Sequence, residues 1–212
     1  MLEIWANILA VVIVSAGGLV LLLAPDWRLR LIALAGEYLG VFLLVLQSWP
    51  FEMAVVKLVA GWMAGSVLGM AIIALPIKEQ DQVGRAGDRM EDELAPGTSL
   101  LSGLVFRILA ALLIFLTVFS VAPQMLTWVP GVSLWQVWGS LILMGMGLLQ
   151  LGFTAQPFRT ILALLTILAG FEILYASVES SALVAGLLAS IHLGLSLVGA
   201  YLILAPQMEE AE

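Results

Sequence analysis

The sequence predicts an all-α membrane protein, a polytopic bundle of about seven transmembrane helices. Of its 212 residues, 62% are hydrophobic and 11% are charged, whereas soluble domains have roughly 45–50% apolar and about 25% charged residues. Seven apolar stretches are each long enough to cross a hydrocarbon core, which takes roughly 20 helical residues. They lack the alternation of apolar and polar residues that is typical of a membrane β-barrel, so helices must satisfy the backbone hydrogen bonds.

The apolar stretches follow one another with short connections, most of which contain proline. They cover residues 4–24, 29–48, 51–75, 101–122, 132–153, 159–178 and 181–205. We expect a three-helix half at 1–76, an acidic cytoplasmic linker at 77–100, a bridging helix at 101–122, a second three-helix half at 131–206 and an acidic tail at 207–212.

The positions of Lys and Arg predict the orientation, because positively charged loops resist translocation. Seven of the eight basic residues lie on one predicted side: Arg28, Arg30, Lys78, Arg85, Arg89, Arg107 and Arg159. The three connections on the other side contain none. We therefore expect a multi-pass protein of the cell (inner) membrane with its N-terminus outside and its C-terminus in the cytoplasm.

Four ionisable residues fall inside predicted helices: Glu37, Lys57, Glu172 and His192. A charge at the bilayer centre costs roughly 2.5–3.5 kcal/mol on insertion scales, so such residues usually face a protein interior and serve ions or protons. Burial favours the neutral forms of ionisable groups, which suits the uptake and release of protons. These four residues are the candidate proton or ion relay.

Each of these residues also has a structural interpretation. Lys57 could extend to the outer surface and pair with Glu52, while His192 could hydrogen-bond a neighbouring helix. Either glutamate could be a protonated carboxyl bonded to a backbone carbonyl or a tyrosine. Arg107, just inside the predicted cytoplasmic edge, is expected to extend to that surface.

The spacing of the four residues suggests an internal repeat. Glu37 precedes Lys57 by 20 positions, and Glu172 precedes His192 by the same interval. In both halves the acid lies in the middle helix and the base in the last, so hairpin packing is expected to bring Glu37 near Lys57 and Glu172 near His192. The acids are 135 residues apart but the helix-opening Arg28 and Arg159 only 131. A parallel 3+1+3 repeat in this alignment requires a gap.

Gly61, Gly65 and Gly69 recur at four-residue spacing in the third helix and predict close helix packing, within the chain or with a partner. The sequence has no cysteine and one histidine. It also has no phosphate-binding glycine loop and no nucleophile elbow, so it predicts no catalytic residue, no cofactor and no metal site.

Residues 159–204 carry the clearest family resemblance. The Arg159-opened helix with Leu-Ala-Gly-Phe-Glu172-Ile-Leu, followed by Ile-His192-Leu-Gly-Leu-Ser-Leu-Val-Gly, resembles NuoK, the small three-helix subunit of respiratory complex I. It also resembles the C subunit of Mrp antiporters and the C-terminal part of hydrogenase-4 component E. The resemblance implies a membrane-embedded glutamate at Glu172. At the family's second acidic position this chain has Ser190 or His192.

The resemblance and the buried charges together suggest an accessory membrane subunit of a proton or sodium translocating complex, not catalytic on its own. The expected partners are larger antiporter-like membrane subunits and the lipid bilayer, with no nucleic acid. One alternative is a structural or assembly subunit without ion transport. Another is an independent small transporter built from parallel repeats.

Topology reporters inserted at Gly84 and Gly131 test the predicted orientation. Because one helix separates these positions, we expect cytoplasmic activity at Gly84 and external activity at Gly131. Reporter signals from the same compartment at both positions would contradict this topology.

Overall fold

A computed structural model of the chain describes residues 2–80, 82–83, 100–154 and 156–210. These ranges contain seven long helices and no β-strand, so the predicted all-α fold is confirmed. The helices are α1 (Leu2–Leu23), α2 (Trp27–Val45), α3 (Phe51–Ile73), α4 (Leu100–Trp128), α5 (Leu134–Gly152), α6 (Pro157–Val178) and α7 (Ala182–Glu210). Residues 77–80 form a short helical segment after α3.

Six of these helices, α1 and α3 to α7, are long and apolar enough to cross a membrane, which makes the chain a multi-pass membrane protein. The remaining helix, α2, carries three charged side chains. It nevertheless runs antiparallel to α1 over its whole length. Arg30 Nε, in its first turn, donates to the carbonyl oxygen of Ala24 (2.8 Å), and Gln47 Nε2, just beyond its last turn, donates to Asn7 Oδ1 (2.9 Å).

The helix connections gather at two ends of the bundle. At the first, here called the Trp49 end, Trp49 Nε1 donates to the carbonyl oxygen of Glu179 (2.7 Å), so the α2–α3 connection meets the α6–α7 connection. At the second, the Glu79 end, Gln207 Nε2 of α7 donates to Glu79 Oε2 (3.1 Å). Helices α1, α3, α5 and α7 therefore all begin at the Trp49 end, which makes the two halves parallel.

The two three-helix halves pack alike. Within them, α1 lies along α2 and α5 along α6, while α2 packs on α3 and α6 on α7. Between them, α1 contacts α5, α2 contacts α6 and α3 contacts α7. These contacts are unchanged when the halves are exchanged. The bridging helix α4 stands outside this arrangement and packs mainly on α5.

Tightly packed glycines define how the halves correspond. A Cβ added to Gly40 would lie 3.0 Å from the carbonyl oxygen of Ala10, and one added to Gly170 would lie 2.8 Å from that of Ser140. Both residues of the second contact are 130 positions after those of the first. The same interval relates Gly17 against Ala33 to Gly147 against Ala163, and Gly69 against Leu31 to Gly199 against Ile161. The helix packing therefore repeats without the gap expected from the sequence.

Two helices extend beyond their predicted ends. Helix α4 continues through Pro123 to Trp128, and α7 continues through Pro206 into the predicted tail. Proline removes one backbone donor, but the residues that follow it here resume the helical conformation. The end of α4 is set further on, where Gly131 adopts a left-handed φ of 85°. Most of the predicted acidic linker, and residues 211–212 of the tail, lie outside the described ranges.

Replacing Gly170 by alanine tests the glycine contacts. The new Cβ would meet the backbone of α5, which cannot move aside as a side chain can, so we expect a loss of about 1–3 kcal/mol in stability. The matched control is Gly194→Ala in α7, where nothing lies within 4 Å of an added Cβ. Thermal unfolding in detergent is the measurement, and equal melting temperatures for the two variants would contradict the packing.

Candidate functional site

Three ionisable side chains from three helices meet inside the bundle. Lys57 of α3 donates from Nζ to Glu172 Oε1 of α6 and forms an ion pair with it. His192 of α7 lies beside both, with Nδ1 3.6 Å from Glu172 Oε1 and 3.5 Å from Lys57 Nζ. All three side chains are at most 1% exposed. We call Lys57, Glu172 and His192 the ion cluster.

The hydrogen bonds of His192 indicate where its proton lies. Its Nδ1 is 2.9 Å from the carbonyl oxygen of Leu188, one turn earlier in α7. A carbonyl oxygen only accepts, so this short contact assigns the ring proton to Nδ1. Nε2 is then an acceptor, and among the described residues neither it nor Glu172 Oε2 has a hydrogen-bond partner. The ion cluster thus contains two buried acceptor atoms that receive no hydrogen bond from the described residues.

Tyr38 of α2 forms one side of the ion cluster. Its ring meets the ring of His192 edge to face, with centroids 5.6 Å apart. The side chain is 1% exposed, and its hydroxyl has no hydrogen-bond partner in the described part of the chain. Glu37 is the residue before Tyr38 on α2. Tyr38 therefore places an aromatic ring against the ion cluster, one residue after the second buried carboxyl.

Glu37 occupies a separate position on α2. It is fully buried, and Thr166 Oγ1 of α6 donates to its Oε2 at 3.4 Å. Its other oxygen, Oε1, has no hydrogen-bond partner within the described ranges. The backbone of α1 passes close by at Gly17, where an added Cβ would lie 3.1 Å from the Cβ of Glu37. Glu37 thus faces the interior between α1, α2 and α6.

All these groups lie within the depth of the bundle. At about 1.5 Å per residue, Lys57 is about 9 Å along α3 from the Trp49 end, and Glu172 is about 9 Å from that end of α6. Glu37 is about 12 Å and His192 about 15 Å from the same end of their helices. The four side chains therefore lie in a layer that runs from the third of the bundle nearest the Trp49 end to its middle.

The structure brings three of the four predicted residues together but pairs them differently from the prediction. Glu172 and His192 do meet, whereas the expected Glu37–Lys57 pair is wrong, because Lys57 turns across the interface between the halves to Glu172. The alternative in which Lys57 extends to the surface beside Glu52 is also wrong, since Lys57 is 1% exposed. So is the expectation that Arg107 reaches the surface, because it is 8% exposed.

The glycines of α3 pack within the chain against α2. An added Cβ at Gly61 would overlap the ring of Tyr38, and one at Gly65 would lie 3.7 Å from Leu34 Cδ2. A Cβ added to Gly69 would lie 3.2 Å from Leu31 Cδ1 of α2. Gly61 therefore makes the space in which Tyr38 reaches the ion cluster. From sequence, Tyr38 is only one possible hydrogen-bond partner of a buried glutamate. A glycine opposite a large aromatic residue on the preceding helix is the signal that could have placed it at the ion cluster.

Of Ser190 and His192, only His192 belongs to the ion cluster. Ser190 is exposed and donates its hydroxyl to the carbonyl oxygen of Gly186 in its own helix. In the described residues no group of three His, Asp or Glu side chains could hold a metal ion. The groups available for chemistry are a buried acid, a buried amine and an imidazole that contact one another.

Comparisons of the chain with protein-family models, with curated proteins and with solved structures found no match.

Proposed function

We propose that this chain is an accessory membrane subunit of a multi-subunit complex that translocates protons or sodium ions. In this proposal the ion path of the complex includes Glu37, Lys57, Glu172 and His192, and Tyr38 joins Glu37 to the ion cluster. The observation that carries it is the direct contact of Lys57, Glu172 and His192, each at most 1% exposed inside a membrane bundle. Ionisable groups at such depth are costly and usually functional.

The geometry of the ion cluster supports a step in which one proton enters and another leaves. A proton that binds His192 at Nε2 turns the ring into a cation beside Lys57. The two cations then compete for the single carboxylate of Glu172, and their repulsion favours loss of a proton from Lys57. Proton uptake at His192 is thereby coupled to proton release at Lys57, with Glu172 stabilising whichever cation remains.

The proposal assigns larger antiporter-like membrane subunits as partners, because the described residues are almost entirely helical and connected by short turns. The resemblance of residues 159–204 to NuoK and its relatives is consistent with this, with Glu172 at the family's membrane glutamate. Non-redox work is expected, since the chain has no cysteine and one histidine. The proposed orientation places the Trp49 end outside and the Glu79 end in the cytoplasm.

One observation favours a second candidate, a structural subunit that does not transport ions. Lys57 and Glu172 neutralise each other directly and come from opposite halves of the bundle. Such a pair could serve only to fix how the halves dock, as buried polar groups do in some helical assemblies. The two candidates make different predictions for the same residues.

Glutamine replacements of the two acids test the relay. Glu172→Gln and Glu37→Gln keep the size of the side chain but remove its charge, so we expect proton uptake by energised membrane vesicles to fall by about 100-fold. Glu52→Gln, which changes an exposed acid of α3, is the matched control and is expected to pump normally. A native gel reports whether the complex is assembled.

Normal pumping by both assembled variants would sink the relay proposal. Loss of the complex, with the remaining assembled fraction fully active, would favour the structural candidate. Transport by the purified chain alone in liposomes would instead indicate an independent transporter.

Removing the ion pair one side at a time separates stability from transport. Lys57→Met alone leaves the buried carboxylate of Glu172 uncompensated, and we expect a loss of about 3–5 kcal/mol in stability. The double variant Lys57→Met/Glu172→Leu replaces both charges by apolar groups and is expected to recover most of that stability. Thermal unfolding in detergent measures the recovery. A recovered double variant that assembles yet does not pump supports the relay, and one that pumps normally supports the structural candidate.

A further inference from the structure

A cavity separates the bridging helix α4 from α1, and none of its lining residues belongs to the ion cluster. Against α5, by contrast, α4 packs closely, because a Cβ added to Gly145 would lie 2.6 Å from Ile114 Cγ2. At the packing interval of 130 residues, Gly145 corresponds to Ser15 of α1. Ser15 lines the cavity, whose volume is about 350 Å³. The other lining residues are Val11 of α1, Phe115, Leu116, Val118 and Phe119 of α4, and Trp138 and Ile142 of α5. Helix α4 therefore docks tightly on the second half and leaves a gap beside the first.

The cavity lies at the depth of lipid chains and opens toward them. At about 1.5 Å per residue, Trp138 is about 6 Å from the Trp49 end of α5, and Ser15 is about 20 Å from the same end of α1. The cavity thus extends about 14 Å along the bundle, within a hydrocarbon core of roughly 30 Å. On its outer side Leu116 and Phe119 are 60% and 70% exposed. In a membrane, these exposed side chains face lipid.

The chemistry and the size of the cavity select the occupant. None of its lining residues is charged, and Ser15 supplies the one hydroxyl. A bound water needs two to four polar partners, and apolar cavities of only about 150 Å³ stay dry and take up small apolar ligands. A transmembrane helix is about 10–12 Å across, so a 14 Å length of it would need roughly 1,100 Å³. The cavity is too apolar for water and too small for a helix, but it suits a single hydrocarbon chain.

Trp138 indicates that this chain begins with an oxygen acceptor. Its indole Nε1 is buried and has no hydrogen-bond partner in the described part of the chain. A buried indole N–H usually has an acceptor. Trp138 also lies near the Trp49 end, close to the boundary between hydrocarbon and headgroups, which is where the ester carbonyls of phospholipids are found. A lipid chain that enters from this boundary brings such a carbonyl to the same side of the cavity.

We propose that the cavity between α1, α4 and α5 binds one acyl chain of a phospholipid from the leaflet at the Trp49 end, with its ester group beside Trp138. The bound chain fills the gap that α4 leaves beside α1. It therefore supplies the dispersion contacts that the facing walls of the cavity lack. In this way one lipid attaches the bridging helix to both halves of the bundle.

The test adds three probes to the purified full-length chain, stripped of lipid in detergent, and measures melting temperatures. Dioleoyl-phosphatidylcholine is the lipid, methyl oleate has the chain and ester without the headgroup, and glycerophosphocholine has the headgroup without a chain. We expect the first two to raise the melting temperature by several degrees and the third to leave it unchanged. Ser15→Phe fills the cavity with a protein side chain, so it should weaken binding of both chain-bearing probes by about 10-fold. Should this variant fail to fold, Val11→Phe fills the same cavity from the preceding turn of α1 and should act alike.

Ser120→Phe is the matched control, because Ser120 is an exposed residue of α4 that does not line the cavity. It should respond to all three probes like the unaltered chain. Equal responses of Ser15→Phe and Ser120→Phe, or an effect of glycerophosphocholine as large as that of phosphatidylcholine, would overturn the proposal. So would an unchanged lipid response of Ser15→Phe together with loss of the assembled complex on a native gel, which would assign the cavity to a side chain of a partner subunit.

Discussion

The burial of two charges, on Lys57 and Glu172, constrains how the two halves can dock, because each charge needs the other inside the bundle. Their ion pair joins α3 of the first half to α6 of the second, and both side chains are enclosed. In a medium that cannot solvate charge, either group alone would carry a large desolvation penalty. Separating the halves would expose both charges to lipid at once. Correct docking is therefore the state in which these charges are mutually satisfied.

The scaffold around this pair repeats, but its charges do not. At the packing interval of 130 residues, each ionisable residue of the site has an apolar or aromatic counterpart. Glu37 corresponds to Ile167, Glu172 to Phe42, Lys57 to Leu187 and His192 to Trp62. In the described part of the chain, the two similar halves therefore hold one cluster in which an acid contacts two bases, and it lies across their interface. This makes an independent transporter with two equivalent acid–base sites a poor fit to the fold.

The helices and the buried residues could be predicted from sequence because they depend on hydrophobicity over about 20 consecutive positions. That pattern can be read within each segment, without knowing how the segments pack. The pairing could not. The equal spacing of Glu37 to Lys57 and of Glu172 to His192 favoured two hairpin pairs. The actual partners depend on which helix faces meet, and this is set by close glycine contacts such as that of Gly170 with α5. In the alignment that these contacts define, equivalent residues of the two halves are 130 positions apart, five fewer than the 135 that separate the two acids.

The proton exchange proposed for the ion cluster would keep its charge balanced. If His192 gains a proton while Lys57 loses one, the number of cations beside Glu172 stays at one, so the step adds no net charge to the low-dielectric interior. The positive charge then moves only between two neighbouring groups, because Lys57 Nζ and His192 Nδ1 are 3.5 Å apart. A lone buried glutamate lacks this property, because each protonation changes the charge of its surroundings. An acid held between two bases is therefore better suited to repeated proton transfer than the carboxyl of Glu37 by itself, which would need Tyr38 or a partner subunit to complete its path.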